Sequence, residues 1–244
     1  MMADPAIMLE LKGISKAFGA IVVASDIDLT LSRGEALGVI GPNGAGKSTL
    51  FNLITGMLRP DRGRITLEGN DITRMPPEAR CRAGLGRSFQ IPLPFTHLTV
   101  FENLSVAALF GARATEAGAV QLCGDILALT GLESKANALA GSLPLLDRKR
   151  LELARALATR PRILLLDEIA GGLTDAECHL LVETIRDIRK GGVAIIWIEH
   201  VVHALLAVVD RLIALDFGKI ATQGAPADVM RSEEVQAIYM GVPA

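Results

Sequence analysis

The sequence predicts an α/β fold in which a parallel sheet carries a phosphate-binding loop. Three observations lead there. The run Gly41, Pro42, Asn43, Gly44, Ala45, Gly46, Lys47, Ser48, Thr49 is a complete G-x-x-x-x-G-K-S loop, set between an apolar strand-like stretch, 36–40, and a helical one, 50–57. After Arg162 strands and helices alternate, the pattern of a parallel sheet covered on both faces. The continuous apolar run 163–166 suits a strand buried on both sides, and it ends in two acids, Asp167 and Glu168.

The elements follow in order. Residues 8–14 and 21–31 read as strands, the second because Ile27, Leu29 and Leu31 alternate with Asp26, Asp28 and Thr30. A turn at Arg33 and Gly34 leads into the strand before the loop. Residues 64–67 form another strand, followed by a turn at 69–71. Pro76 and Pro77 open a short helix to about Ala83. Residues 85–90 make a brief strand, and Pro92 and Pro94 then force an extended segment. Thr99 caps a helix through 109, with Glu102 at the capping-box position. A second helix spans 111–132. In the amphipathic helix 148–158, Leu151, Leu153, Ala154 and Leu157 interleave with Arg150, Glu152 and Arg155. Strand 163–166, helix 175–190, strand 193–198, helix 201–209 and strand 211–215 complete the pattern. One domain, 8–242, is expected: a nucleotide-binding core of 8–90 and 161–242, with a helical subdomain, 91–160, inserted.

The bulk properties narrow the function. With 244 residues the chain can bury a core and carry a subdomain. A net charge of −2 gives no electrostatic case for nucleic acid as partner. Cys81, Cys123 and Cys178 are far apart without metal-ligand spacing, which reads as reduced thiols. Residues 1–6 lack a basic stretch followed by an apolar one, so no signal peptide is expected. The most apolar stretch, 193–215, is interrupted by Glu199, His200, His203, Asp210 and Arg211. A membrane span needs about 20 predominantly apolar residues, so the chain is not expected to cross a bilayer by itself.

The loop's chemistry is specific. Its small residues let successive backbone N–H groups converge on phosphate oxygens at a helix N-terminus. Lys47 can reach the β- and γ-phosphates, and Ser48 can ligate Mg²⁺; the chain is therefore expected to bind a nucleoside triphosphate. Asp167 and Glu168 lie at the C-terminal end of a buried strand, where open α/β sheets place ligands. There Asp167 would hold Mg²⁺ through water and Glu168 would polarise an attacking water as general base. A strand running into an acidic turn would show the same letters. His200, just after strand 193–198, can donate to a γ-phosphate; a surface histidine at a strand end is the plainer alternative. His179 and His203 read as solvated helix residues.

In this order and spacing the pieces resemble the ATP-binding subunit of an ABC transporter, from about Leu9 to the end. The resemblance implies a P-loop ABC-type ATPase core with an N-terminal antiparallel β subdomain and an inserted helical subdomain. It implies that Phe18 stacks on adenine, although a core aromatic near a strand end fits the same position. It implies that Gln90 is the Q-loop glutamine that completes the Mg²⁺ site, that Ala170, Gly171, Gly172 and Leu173 form the D-loop region, and that His200 is the switch histidine. Three segments are similar to the ATPases of branched-chain amino-acid importers: Arg87-Ser88-Phe89-Gln90, 98–104 and 150–156. Ile198-Glu199-His200 and the C-terminal run 235–241 fit the same group. Such systems pair two ATPase subunits, identical or paralogous, with two transmembrane permease subunits at the cytoplasmic face of the membrane, fed by an extracytoplasmic solute-binding protein. The resemblance therefore implies an ATP hydrolase driving uptake of branched-chain amino acids or a related small polar solute. The ATPase of a lipid or polysaccharide exporter is the alternative, and a soluble non-transport ABC ATPase a remoter one, because no coiled-coil insertion or tandem domain is visible.

One motif departs from the family. Where the signature L-S-G-G-Q is expected, the chain reads Leu143-Pro144-Leu145-Leu146-Asp147. Pro144 suits a first helical turn. Ser142 offers a hydroxyl two positions away. Asp147 would repel a triphosphate unless Arg148 or Lys149 compensates. The D-loop aspartate position is taken by Thr174, with Asp175 next.

Overall fold

The computed structural model describes residues 7–240. The reading of residues 1–6, the domain end at 242 and Gly241 of the C-terminal likeness lie outside the described residues. Two sheets organise the chain. Strands β1 (Ile7–Phe18), β2 (Ile21–Ser32), β4 (Arg62–Leu67) and β5 (Asn70–Asp71) form an antiparallel sheet in the order β2-β1-β4-β5. Strands β3 (Ala36–Ile40), β6 (Leu85–Arg87), β7 (Ile163–Asp167), β8 (Ala194–Ile198), β9 (Arg211–Asp216) and β10 (Lys219–Gly224) form the second sheet, in the order β10-β9-β3-β8-β7-β6. All its pairs are parallel except β10 on β9.

Side-chain alternation explains the layering. Along β7, Ile163 and Leu165 join one buried cluster with α1 (Lys47–Thr55) and the antiparallel sheet, while Leu164 and Leu166 face a second cluster built on helices. Those helices include α3 (Val100–Phe110), α4 (Glu116–Thr130), α5 (Leu145–Ala158) and α6 (Asp175–Lys190). The helices α3, α4 and α5 also pack on one another. The short helices are α2 (Pro77–Arg82), α7 (Val202–Leu206), α8 (Pro226–Arg231) and α9 (Glu233–Met240).

Several boundaries move for local reasons. The 69–71 turn is instead a two-residue turn at Glu68 and Gly69, both with positive φ (47° and 79°), and Asn70 and Asp71 pair back with Leu67 and Thr66. Strand 85–90 stops at Arg87; Ser88 makes one more bond to Leu165 and the chain then leaves the sheet edge. The helix expected from 111 starts at Glu116, because Thr115 caps it and Gly111 closes α3. α5 begins three residues before 148, with Pro144 as its N-cap. Glu152, expected on the polar side of that helix, is buried. Strand β10 and helices α8 and α9, after residue 215, were not anticipated.

Candidate nucleotide site

The loop between β3 and α1 is forced by its glycines. Gly41 has φ 151°, and a Cβ there would stand 2.3 Å from the Leu215 carbonyl oxygen. Gly46 has φ 102°, a left-handed value that favours glycine, and a Cβ would meet the Val23 oxygen at 2.7 Å. The β9–β10 turn holds the loop from outside: the Gly218 N–H donates to the Ala45 carbonyl (2.9 Å), and Ser25 N–H donates to Gly218 (2.8 Å). The first turn of α1 carries no acid and no side-chain cap, so its N–H groups stay available to an anion. Lys47 curls back and donates from Nζ to the Gly41 (2.7 Å) and Pro42 (2.9 Å) carbonyls. Burial pulls its pKa below the ordinary lysine value, while the nearby Glu168 and Asp167 charges oppose that.

Opposite the loop, Glu168 gathers two distant residues. Gln90 Nε2 donates to one carboxylate oxygen (2.5 Å) and His200 Nε2 lies 2.8 Å from the other. Glu168 itself sits at φ 48°, a backbone region a non-glycine residue rarely adopts. Its N–H donates to Ile198 (2.9 Å), which pins this conformation to the neighbouring strand end. Lys47, Ser48, Thr49, Asn43, Gly44, Gly46, Gln90 and Glu168 all line one cleft of about 400 Å³, to which Val23 of β2 also contributes. Asp167 is buried and does not line the cleft. Phe18 is not brought to the cleft lining. It ends β1, 54% exposed, paired with Ile21 and with the Lys16 ammonium 5.5 Å from its ring. It is not a core aromatic.

Three further charged residues surround this cluster: Arg87 and Glu199, which have no role of their own in the sequence, and Lys149, expected only as a partner of Asp147. Arg87 donates to Asp167 (2.7 Å) and to Asn52 (2.7 Å). Glu199 is 1% exposed and accepts from Ala170 N–H (3.0 Å), Trp197 Nε1 (3.2 Å) and His200 N–H (3.1 Å), so one carboxylate ties the residues flanking Glu168 to those flanking His200. Lys149 reaches in from α5 and donates to the Glu168 carbonyl (3.4 Å). Burial lowers its pKa against the pull of Glu199 and Glu168. A charge embedded in an apolar or motif segment was the available signal: Arg87 beside Gln90, and Glu199 directly before His200.

The 143–147 segment differs from expectation. Asp147 is buried and its carboxylate is engaged by Lys135 and, at 3.7 Å, by Arg150. Neither Arg148 nor Lys149 compensates it; Arg148 donates instead to the Leu143 and Gly141 carbonyls. The Ser142 hydroxyl is spent on the Leu139 carbonyl (2.8 Å). Thr174 acts as the N-cap of α6 in a capping box with Glu177.

Among the described residues no group of three or more His, Cys, Asp or Glu could hold a metal ion unaided. Mg²⁺ needs no such cage; it is usually bound through one or two carboxylates plus substrate phosphates. The hard oxygens of Ser48 and Asp167 fit that chemistry. So does the Gln90 amide oxygen, which has no hydrogen-bond partner among the described residues while its nitrogen donates to Glu168.

A phosphate loop on a helix N-terminus, with a carboxylate at the C-terminal end of another strand of the same parallel sheet, defines a P-loop nucleoside triphosphatase. The sequence pattern of the ABC transporter family matches residues 24–171, more than half of the chain. A lipopolysaccharide export system ATP-binding protein of Acidithiobacillus ferridurans is 33% identical, covering 96% of this chain and 97% of its own. A high-affinity branched-chain amino acid transport ATP-binding protein of Salmonella typhimurium is likewise 33% identical, over 96% and 98%. The crystal structure of a nucleotide-free ATP-binding cassette from an ABC transporter superposes with a TM-score of 0.88 at 28% identity, over 97% and 100% of the two chains. The crystal structure of the ADP conformation of an ATP-binding cassette of an ABC transporter gives 0.87 at 28% identity, over 97% and 99%. The chain belongs to the ABC transporter family, as the ATP-hydrolysing subunit of a transporter. Among the described residues no helix is long and apolar enough to cross a membrane.

Proposed function

We propose that this ATPase powers an importer of branched-chain amino acids or a related small polar solute. It would work at the cytoplasmic face of the membrane with two permease subunits, a second ATPase subunit and an extracytoplasmic solute-binding protein. The observation that supports a catalytic centre is the convergence of Gln90 and His200 on Glu168 beside Lys47. In this reading Phe18 stacks on the base. The backbone of Gly41, Pro42, Asn43, Gly44, Ala45 and Gly46, with Lys47, Ser48 and Thr49, cradles the phosphates. Ser48, Asp167 and Gln90 hold Mg²⁺, which when bound neutralises charge on the phosphates. Glu168 orients or activates the attacking water and His200 stabilises the γ-phosphate. Catalysis of this kind rests on positioning and charge stabilisation.

Residues 91–160 we read as a helical subdomain. Between it and the core runs a groove of about 260 Å³, lined in part by Met57, Phe89, Ala107 and Arg155. Ile91 (69% exposed) and Leu93 (75%) follow Phe89 in the chain. We assign this surface to the permease. Export is a second reading, because the lipopolysaccharide export relative of Acidithiobacillus ferridurans matches at the same 33% identity. The deciding experiment reconstitutes the chain with its permease and binding protein in liposomes. Import predicts ATP turnover stimulated by a solute-loaded binding protein, and Glu168→Gln abolishing it. Turnover indifferent to any binding protein would favour export, and turnover unaffected by Glu168→Gln would sink the catalytic assignment.

A further inference from the structure

Arg87 occupies an unusual seat. Its guanidinium lies 5.4 Å from the Phe51 ring centre and 4.8 Å from that of Phe89. One arm of the fork donates to Asp167 and the other to Asn52, while Nε is buried without a partner among the described residues. The Arg87 and Asp167 side chains are 9% and 7% exposed, so water screens their attraction poorly. Phe51 belongs to the core. Phe89 is 41% exposed and, with Arg87, lines the groove between core and helices. A single side chain thus separates the groove surface from Asp167.

We propose that Arg87 is a positioning residue that acts as a movable counter-ion, competing with Mg²⁺ for the charge of Asp167, and that Phe89 holds it in place from the groove. The inference rests on the reading of Asp167 as a metal ligand. The sign follows from charge: a cation 2.7 Å from a poorly solvated carboxylate weakens that carboxylate's pull on a second cation. The unsatisfied Nε leaves the seat incomplete, and an incoming Mg²⁺ would take over the Asp167 charge that a departing guanidinium gives up. A permease segment pressing on Phe89 would then change metal affinity without touching the nucleotide.

The test uses the full chain, a fluorescent ATP analogue and a Mg²⁺ titration, with analogue affinity also measured in excess chelator. Arg87→Gln is expected to lower the half-saturating Mg²⁺ about tenfold. Phe89→Ala is expected to lower it about threefold, and Arg87→Lys, which keeps the charge, to stay near wild type. In chelator, no variant should bind the analogue more tightly than wild type. A structural role for Arg87 predicts the opposite sign, since a disordered Asp167 would need more Mg²⁺. Unchanged or raised half-saturation in Phe89→Ala overturns the inference; its side chain is partly exposed, so this arm stands even if Arg87→Gln fails to fold. A wild-type chain whose analogue binding ignores Mg²⁺ overturns the metal-site reading itself, and the inference with it.

Discussion

The loop at 41–49 and the segment at 143–147 both lead into a helix, and the two helix starts are built for opposite ends. The first has glycine at its N-cap, no acid in its first turn and a lysine folded over the loop carbonyls. Its N–H groups are free for an anion. The second has a proline at its N-cap, without an N–H, and Leu145, 48% exposed, follows. Its first-turn acid, Asp147, is neutralised from within by Lys135 and Arg150. A helix N-terminus attracts phosphate only where the protein leaves it unspent. Neither helix start has a side-chain cap. By the family resemblance the second would face a neighbouring subunit's nucleotide, and there a proline, an exposed leucine and an internally paired carboxylate stand in place of the signature's serine and glycines.

The two helix starts should differ most in mixed assemblies. We expect this chain's Lys47, Asp167 and Glu168 to carry turnover when a partner ATPase supplies an intact signature. Glu168→Gln here should cut the rate of the pair by about 10²-fold or more, while the corresponding change in the partner should cost less than about twofold. Steady-state ATPase assays on the two single mutants decide it, and equal losses would show that the 143–147 segment serves its neighbour after all.

Within the loop, Gly46→Ala should weaken ATP binding by roughly 10- to 100-fold. It forces a left-handed backbone and a 2.7 Å approach to Val23, a strain of about 1–3 kcal/mol. Leu145→Gly, at the other helix start, should leave this chain's own ATP affinity unchanged. Equilibrium titration of both variants measures the contrast, and a Gly46→Ala protein that binds normally would mean the loop tolerates a side chain.

A smaller effect concerns how the second segment is sealed. Lys135→Met keeps the aliphatic stem but leaves buried Asp147 with only the 3.7 Å contact to Arg150. We expect a loss of about 1–3 kcal/mol, read as a fall in melting temperature, largely recovered by adding Asp147→Asn. If Lys135→Met melts like wild type, Asp147 is not an internally consumed charge.

What could be read in advance follows the range of the causes. The loop, the capping box at Thr99 and helix α6, Asp175–Lys190, are written in neighbouring residues, and each stands where the sequence put it. The Gln90–Glu168–His200 contact joins three segments: Glu168 and His200 are legible as polar residues at strand ends, Gln90 only through family resemblance, and their meeting from none of the three. The partners of Asp147 show the limit. Arg148 and Lys149 are adjacent in sequence, but the helix turns them elsewhere, and Lys135 arrives from a separate short 3₁₀ turn. Arg87 and Glu199 were legible only as letters in recognised segments, because their roles depend on β6, β7 and β8 lying side by side.

The faintest test is at Glu152, where helix α5 meets the groove. Burial raises its pKa, against the pull of Arg155 3.0 Å away. A carboxyl whose folded pKa lies above its unfolded value binds its proton more tightly in the native state. Stability from this group is therefore full below about pH 4.5, the unfolded value, and declines as pH rises through the raised one. Glu152→Gln imitates the protonated form at every pH. The variant should match wild type near pH 4 and become the more stable of the two toward pH 7, with the higher melting temperature there. Thermal melts across that range check the sign. A variant less stable at pH 7 than at pH 4, relative to wild type, would show that the Arg155 ion pair outweighs desolvation and that the groove wall tolerates a full charge.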